Sequence, residues 1–180
     1  CDKVVVDDFD SAYHATNHLI KLGSKKIALL STVNNLSVGK LRFEGYKKAL
    51  IDANMPIDEG LIILETAIED FDERLKKLIS SKKMDAVFAL DEHSSTMTMR
   101  MALKQWIKIP EELNIIGFAD GVWSRRLTPS LSTVSQHAPE IGAKAAELLI
   151  HKLNSKDEFY QPQTVVIKTE LRQRESTRRL

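Results

Sequence analysis

Cysteine is almost missing from this chain of 180 residues: the one copy stands at position 1. That excludes an internal disulfide framework and any CxxC metal or redox motif. No apolar run approaches the roughly 18 residues needed to cross a bilayer, so no membrane is expected as a partner. The opening CDKVVVDDFD lacks the basic start and apolar core of a signal peptide, and the cytoplasm is the expected compartment. Charge of one sign is not in excess either, with 26 basic against 25 acidic residues. Such a balance offers no concentrated cationic surface for nucleic-acid phosphates. Pairs such as Lys25–Lys26, Lys76–Lys77 and Arg125–Arg126 read as solvated faces. Glycine-rich phosphate loops, GxGxxG, GxSxG and HExxH are all absent, which leaves a nucleotide cofactor, a serine nucleophile or a zinc hydrolase without a motif. His14 and His18 lie four apart on one helix, but no third ligand stands near them. Neither cofactor nor metal is expected.

What the chain does have is a regular alternation. VVVDD begins it as a strand, and a strand at the first residues needs neighbours, so the chain is expected to continue upstream. Ala12, Ala15, Leu19 and Leu22 then recur at helical spacing, with Ser11 able to cap the start and Gly23 able to close the end in the left-handed conformation. KKIALLS, GLIILE, DAVFALD and LNIIGF are short apolar strands without strict alternation. Helices of ten to fourteen residues, by count of the periodic stretches, separate them. That pattern predicts an α/β fold, a parallel sheet covered by helices on both faces. After Pro129 the rhythm changes: LSTVSQ is a short strand, HAPEIGAKAAELLIHKL a helix, and QTVVIKTELRQRES a final strand of mixed exposure.

In an open α/β sheet, ligands bind outside the carboxyl ends of the strands. Four such ends gather Ser31 to Arg42, Glu65 to Phe71, Asp91 with Glu92, and Ala119 with Asp120. Arg42 lies early in its helix beside the core residue Phe43. It either forks onto hydroxyls, a carboxylate or a phosphate, or pairs with a nearby carboxylate such as Glu44. Phe71 either stacks on a ligand ring or staples against Leu75. Asp91 and Glu92 accept hydroxyl hydrogens or cap the next helix, and Asp120 binds a ligand or completes the GFADG turn.

The order HLIKLGSKKIALLS, LRFEGYKKAL, DAVFALDEHS, IPEELNIIGFADG and LTPSLSTVSQHAPEIGAKAAELLI resembles the effector-binding domain of lactose/galactose-repressor-type bacterial transcription regulators. The ribose-type periplasmic sugar-binding proteins share that order. The resemblance implies a periplasmic-binding-protein-like fold of two lobes, of which this chain is mostly the C-terminal one. On that basis residues 1–9 are a remnant strand of the N-terminal lobe and 10–128 the C-terminal lobe. Residues 129–155 cross back as strand and helix of the N-terminal lobe, and 156–180 form the return strand and tail. It further implies a small effector, a sugar or sugar derivative, sensed in the cleft, and a homodimer that reads operator DNA through an N-terminal headpiece lying outside this chain. The helix at 94–106, with Met97, Met99 and Met101, and the surroundings of Trp106 and Trp123 are its candidate dimer surfaces. Arg42 matches the effector-contacting arginine and Phe71 the stacking aromatic. Asp91 stands at a common asparagine, and Asp120 follows the usual hydroxyl acceptor, which here is Ala119. Val38 makes one side of the pocket less polar. A periplasmic sugar-binding protein is the alternative, and an α/β enzyme a third reading.

Overall fold

Along each short strand, successive side chains face opposite sides of the sheet, and the two sides meet different helices. In β2 (Ile27–Ser31), Ala28 and Leu30 join Val87 and Ala89 of β4 (Ala86–Ala89) and Ile115 of β5 (Asn114–Phe118). They pack against Phe71, Leu75, Leu78 and Ile79 of α3 (Ile68–Ser81) and Met99 and Ala102 of α4 (Glu92–Lys104). Ile27 and Leu29, with Phe88, Ile116 and Phe118, face the other way. There they meet Ala12, Ala15 and Leu19 of α1 (Asp8–Lys21) and Tyr46 and Leu50 of α2 (Ser37–Asp52). Strands buried on both faces need no polar alternation, which is why they read as continuous apolar runs.

The structure, a computed structural model, describes residues 1–118, 120–154 and 161–178. Its larger sheet has the order β3-β2-β4-β5-β6-β8, with β3 at Ile62–Leu64, β6 at Ser132–Ser135 and β8 at Glu170–Arg172. All its pairings are parallel except β6 with β8. A separate two-stranded parallel sheet joins β1 (Lys3–Val6) to β7 (Thr164–Ile167), and α6 (Ala138–Asn154), which follows the short α5 (Val122–Arg126), packs on β1. The chain therefore passes between the two sheets three times: after β1, between β6 and α6, and between β7 and β8.

Two boundaries differ from the sequence reading. LSTVSQ forms β6 and pairs with β5 in the larger sheet, so the second crossing comes after it, at Gln136–His137. The stretch QTVVIKTELRQRES makes two strands in different sheets, divided at Lys168–Thr169. A strand of four residues shows in its sequence that it is buried, but not which neighbour it pairs with. Residues 155–160, which the sequence reading makes a loop, lie outside the described residues.

Candidate functional site

The carboxyl ends of β2, β4 and β5 converge where Arg42 reaches in from α2. Its side chain is only 7% exposed. Nε donates to Asp8 Oδ1 at 2.7 Å, Nη1 donates to the Leu90 carbonyl at 2.7 Å, and the guanidinium carbon lies 3.6 Å from the centre of the Phe118 ring. Among the described residues Nη2 has no protein acceptor. Burial pushes the Asp8 carboxyl up and the Arg42 guanidinium down, each opposed by its partner's charge. Arg42 stays charged regardless, because its starting value is so high. Glu44, the alternative partner read from sequence, pairs with Lys47 instead, at 2.7 Å.

Asp91 closes the end of β4 and caps α4. Its Oδ1 accepts from Ser94 N–H and its Oδ2 from Thr32 N–H, both at 2.8 Å, while Ser94 Oγ returns a bond toward the Asp91 backbone. This is the reciprocal capping box, extended to hold the β2 loop. Phe71 is fully buried in the core on the α3–α4 side, its ring 5.6 Å from and edge-on to His93, whose Nε2 lies 3.3 Å from Asp72 Oδ1. Val38 is half-buried in the first turn of α2, beside the exposed Leu36.

Asp120 holds several chain segments together. Oδ1 accepts from Arg174 Nη2 at 2.6 Å, Thr133 Oγ1 at 3.0 Å and Ser124 Oγ at 3.1 Å. Oδ2 accepts from Arg172 Nη1 and, at 3.5 Å, from Arg125 Nη2. Burial acts to raise this carboxyl, but the hydrogen bonds from Arg174 and Thr133 and the adjacent guanidinium charges hold it far below the usual carboxylate range. The preceding residue, Ala119, lies outside the described residues.

A cleft of about 510 Å³ opens beside this cluster, between the larger sheet and the start of α6. Its walls include Glu92, Asp120, Arg125, Gln136, His137 and Arg172. That volume lies within the range of small-molecule sites. Of the five residues singled out in the sequence, Asp120 lines the cleft; Arg42, Phe71, Asp91 and Val38 are not among its walls. Sequence reasoning missed Asp8, Arg172, Arg174 and His137. The alternation Arg172–Arg174 at the end of β8 was the available signal for two of them. His18 is buried with Nε2 unpartnered, and among the described residues no three His, Cys, Asp or Glu side chains converge as a metal site. Nor is any described helix long and apolar enough to cross a membrane. Of the candidate dimer residues, Met99 is in the core and Met97 and Met101 pack against it, whereas Trp106 is 91% and Trp123 63% exposed.

Residues 16–177 match the periplasmic binding protein-like domain family. The chain is 34% identical over 144 residues to the HTH-type transcriptional regulator DegA of Bacillus subtilis, covering 79% of this chain and 43% of that protein. To the HTH-type transcriptional repressor PurR of Haemophilus influenzae it is 32% identical over 162 residues, covering 87% and 48%. The chain thus spans about half the length of the curated relatives it matches. A LacI-family regulator of Enterococcus faecium with bound ribose superposes with a TM-score of 0.88 at 26% identity, covering 98% of this chain and 65% of that one. The transcriptional regulator CelR in complex with cellobiose gives 0.87 at 25%, covering 97% and 54%.

Proposed function

The chain belongs to the periplasmic binding protein-like family, among the effector-binding domains of lactose/galactose-repressor-type regulators, and on that premise we propose that it senses a sugar or sugar derivative for a DNA-binding regulator. The observation carrying this reading is the 510 Å³ cleft at the carboxyl ends of the parallel strands, where α/β sheets bind ligands. Solved relatives with ribose and with cellobiose bound support the carbohydrate class. Arg42 offers its Nη2 to the effector while Asp8 and Leu90 hold the rest of the fork. Val38 gives the neighbouring wall an apolar face. Asp120 acts through the arginines it fixes, Asp91 holds the β2 loop to the start of α4, and Phe71 packs in the core on the α3–α4 side. The family is one of binding domains, and no catalytic step is assigned.

The two-stranded sheet with α6 is the part of the N-terminal lobe that this chain contains, and the larger sheet is the C-terminal lobe. An effector bound between them changes their balance only if its affinity differs between two lobe arrangements. In a homodimer that difference reaches the DNA-reading headpieces outside this chain. Calorimetric titration of the intact natural protein with mono- and disaccharides, sugar phosphates and nucleobases tests the reading. Binding of a sugar is expected, weakened about tenfold or more in Arg42→Lys, which keeps the charge but loses the planar fork. Binding of a nucleobase alone, or of none of these, would overturn the carbohydrate assignment.

A further inference from the structure

A sugar hydroxyl buried in a cleft needs an acceptor as well as a donor, and ionised carboxylates are acceptors only. Most carboxylates near this site are already occupied. Asp8 is 3% exposed and bound to Arg42. Both oxygens of Asp91 accept backbone N–H groups, from Ser94 and Thr32. Asp120 receives donors from Arg174, Thr133, Ser124, Arg172 and Arg125. Glu92 is different: it is exposed, it lines the cleft, and among the described residues nothing donates to its carboxylate. Glu140 also lines the cleft, on α6.

Contact with Gly121 distinguishes Glu92. A Cβ built on Gly121 would lie 2.6 Å from Glu92 Oε1 and 3.5 Å from its carboxyl carbon. The Glu92 carboxylate therefore rests directly on the Gly121 backbone, in space that any other residue would fill. The backbone itself does not call for glycine, since φ is −68° and ψ 169°, a conformation every residue adopts. What glycine provides here is room for the carboxylate.

We propose that Glu92 is the hydroxyl-accepting, specificity-determining residue of the cleft and that Gly121 seats it there. The proposal rests on the carbohydrate reading above and adds the acceptor that reading lacks. It accounts for DEHS and GFADG together, because the strand ends of β4 and β5 lie side by side and bring Glu92 to Gly121.

The test is calorimetry on the intact natural protein with D-ribose, D-glucose, cellobiose and their single-deoxy analogues. Glu92→Gln is expected to weaken the bound sugar about tenfold or more, the scale of one hydrogen bond to a charged group. Gly121→Ala should weaken it similarly, because its methyl group swings the flexible Glu92 side chain away while leaving the fold intact. The double variant should be no weaker than either single one. The loss in Glu92→Gln should vanish for the analogue lacking the accepted hydroxyl. If Glu92→Gln binds like the wild type while Arg42→Lys is weakened, the cleft remains a sugar site and Glu92 is not its acceptor. Additive losses in the double variant would overturn the seating role of Gly121. A wild type that binds no sugar overturns both this assignment and the reading beneath it.

Discussion

Arg42 shows how much a single side chain depends on its surroundings. Its charge is buried, so it is stable there only because Asp8 lies at 2.7 Å and the Leu90 carbonyl accepts a second hydrogen bond. Removing one partner of a buried pair leaves the other charge uncompensated. Arg42→Ala is therefore expected to destabilise the protein by about 3–5 kcal/mol in urea unfolding. Combining it with Asp8→Asn should cost less than the sum of the two single changes, because the second change removes the stranded charge. Additive costs would show that the pair is not coupled. From the sequence, the position of Arg42 near a strand rim was legible. Its partner was not, because Asp8 lies 34 residues earlier and Glu44 is the nearer carboxylate.

At the level of elements, the motif RxxGY on α2 becomes intelligible as one helical face. Residues three and four apart share a side of a helix, and here Arg42, Gly45 and Tyr46 all turn inward. Tyr46 donates its hydroxyl hydrogen to the Ile27 carbonyl at 2.8 Å, tying α2 to β2. A Cβ on Gly45 would meet the Phe9 carbonyl oxygen at 2.3 Å and the Tyr13 nitrogen at 2.9 Å. These are backbone atoms of α1, which cannot swing aside as a side chain can. Gly45→Ala should force the two helices apart, at a cost of about 1–3 kcal/mol or more, seen as a lower midpoint of thermal unfolding. An unchanged midpoint would mean that the helices can separate freely. Phe71 teaches a related lesson at the start of α3. Its spacing with Leu75 allowed either a rim or a core position, and burial under α4 put it in the core.

Across the whole molecule, carboxylates tie together segments that lie far apart along the chain. Asp7, just after β1, accepts from Thr169 N–H at 2.9 Å between β7 and β8, while its neighbour Asp8 turns to Arg42. Asp120 joins β5 to Thr133 of β6, Arg172 of β8 and Arg174 beyond it. The folded-state pKa of Asp120 is depressed from its ordinary value of 3.8. A depressed carboxyl contributes stability above its unfolded value, and that contribution is lost as pH falls through the folded value. Asp7 is shifted in the same direction, burial being outweighed by its bonds to Thr169 and Lys168. Asp120→Asn should therefore lower stability at pH 7, and the gap to wild type should narrow as pH falls below 3.8. A constant gap across equilibrium unfolding from pH 7 to about 3 would mean that the carboxylate charge is not what stabilises this junction.

Fold class was determined by the sequence alone, because apolar runs of strand length separated by amphipathic helices have few stable arrangements other than a covered parallel sheet. The family was legible too, since its phrases are local and keep their order along the chain. The same locality put Asp91, Glu92 and Asp120 at strand ends and Arg42 early in the helix after β2. Only the tertiary structure decided which sheet β6 and β7 joined, since strand pairing is a contact between distant segments that four-residue strands do not encode. It also decided which carboxylates were already bonded. Asp91 and Asp120 look as available as Glu92 in the sequence, but a hydrogen bond is made by the partner that arrives. Those partners, Thr32, Arg172 and Arg174, come from between 52 and 59 residues away.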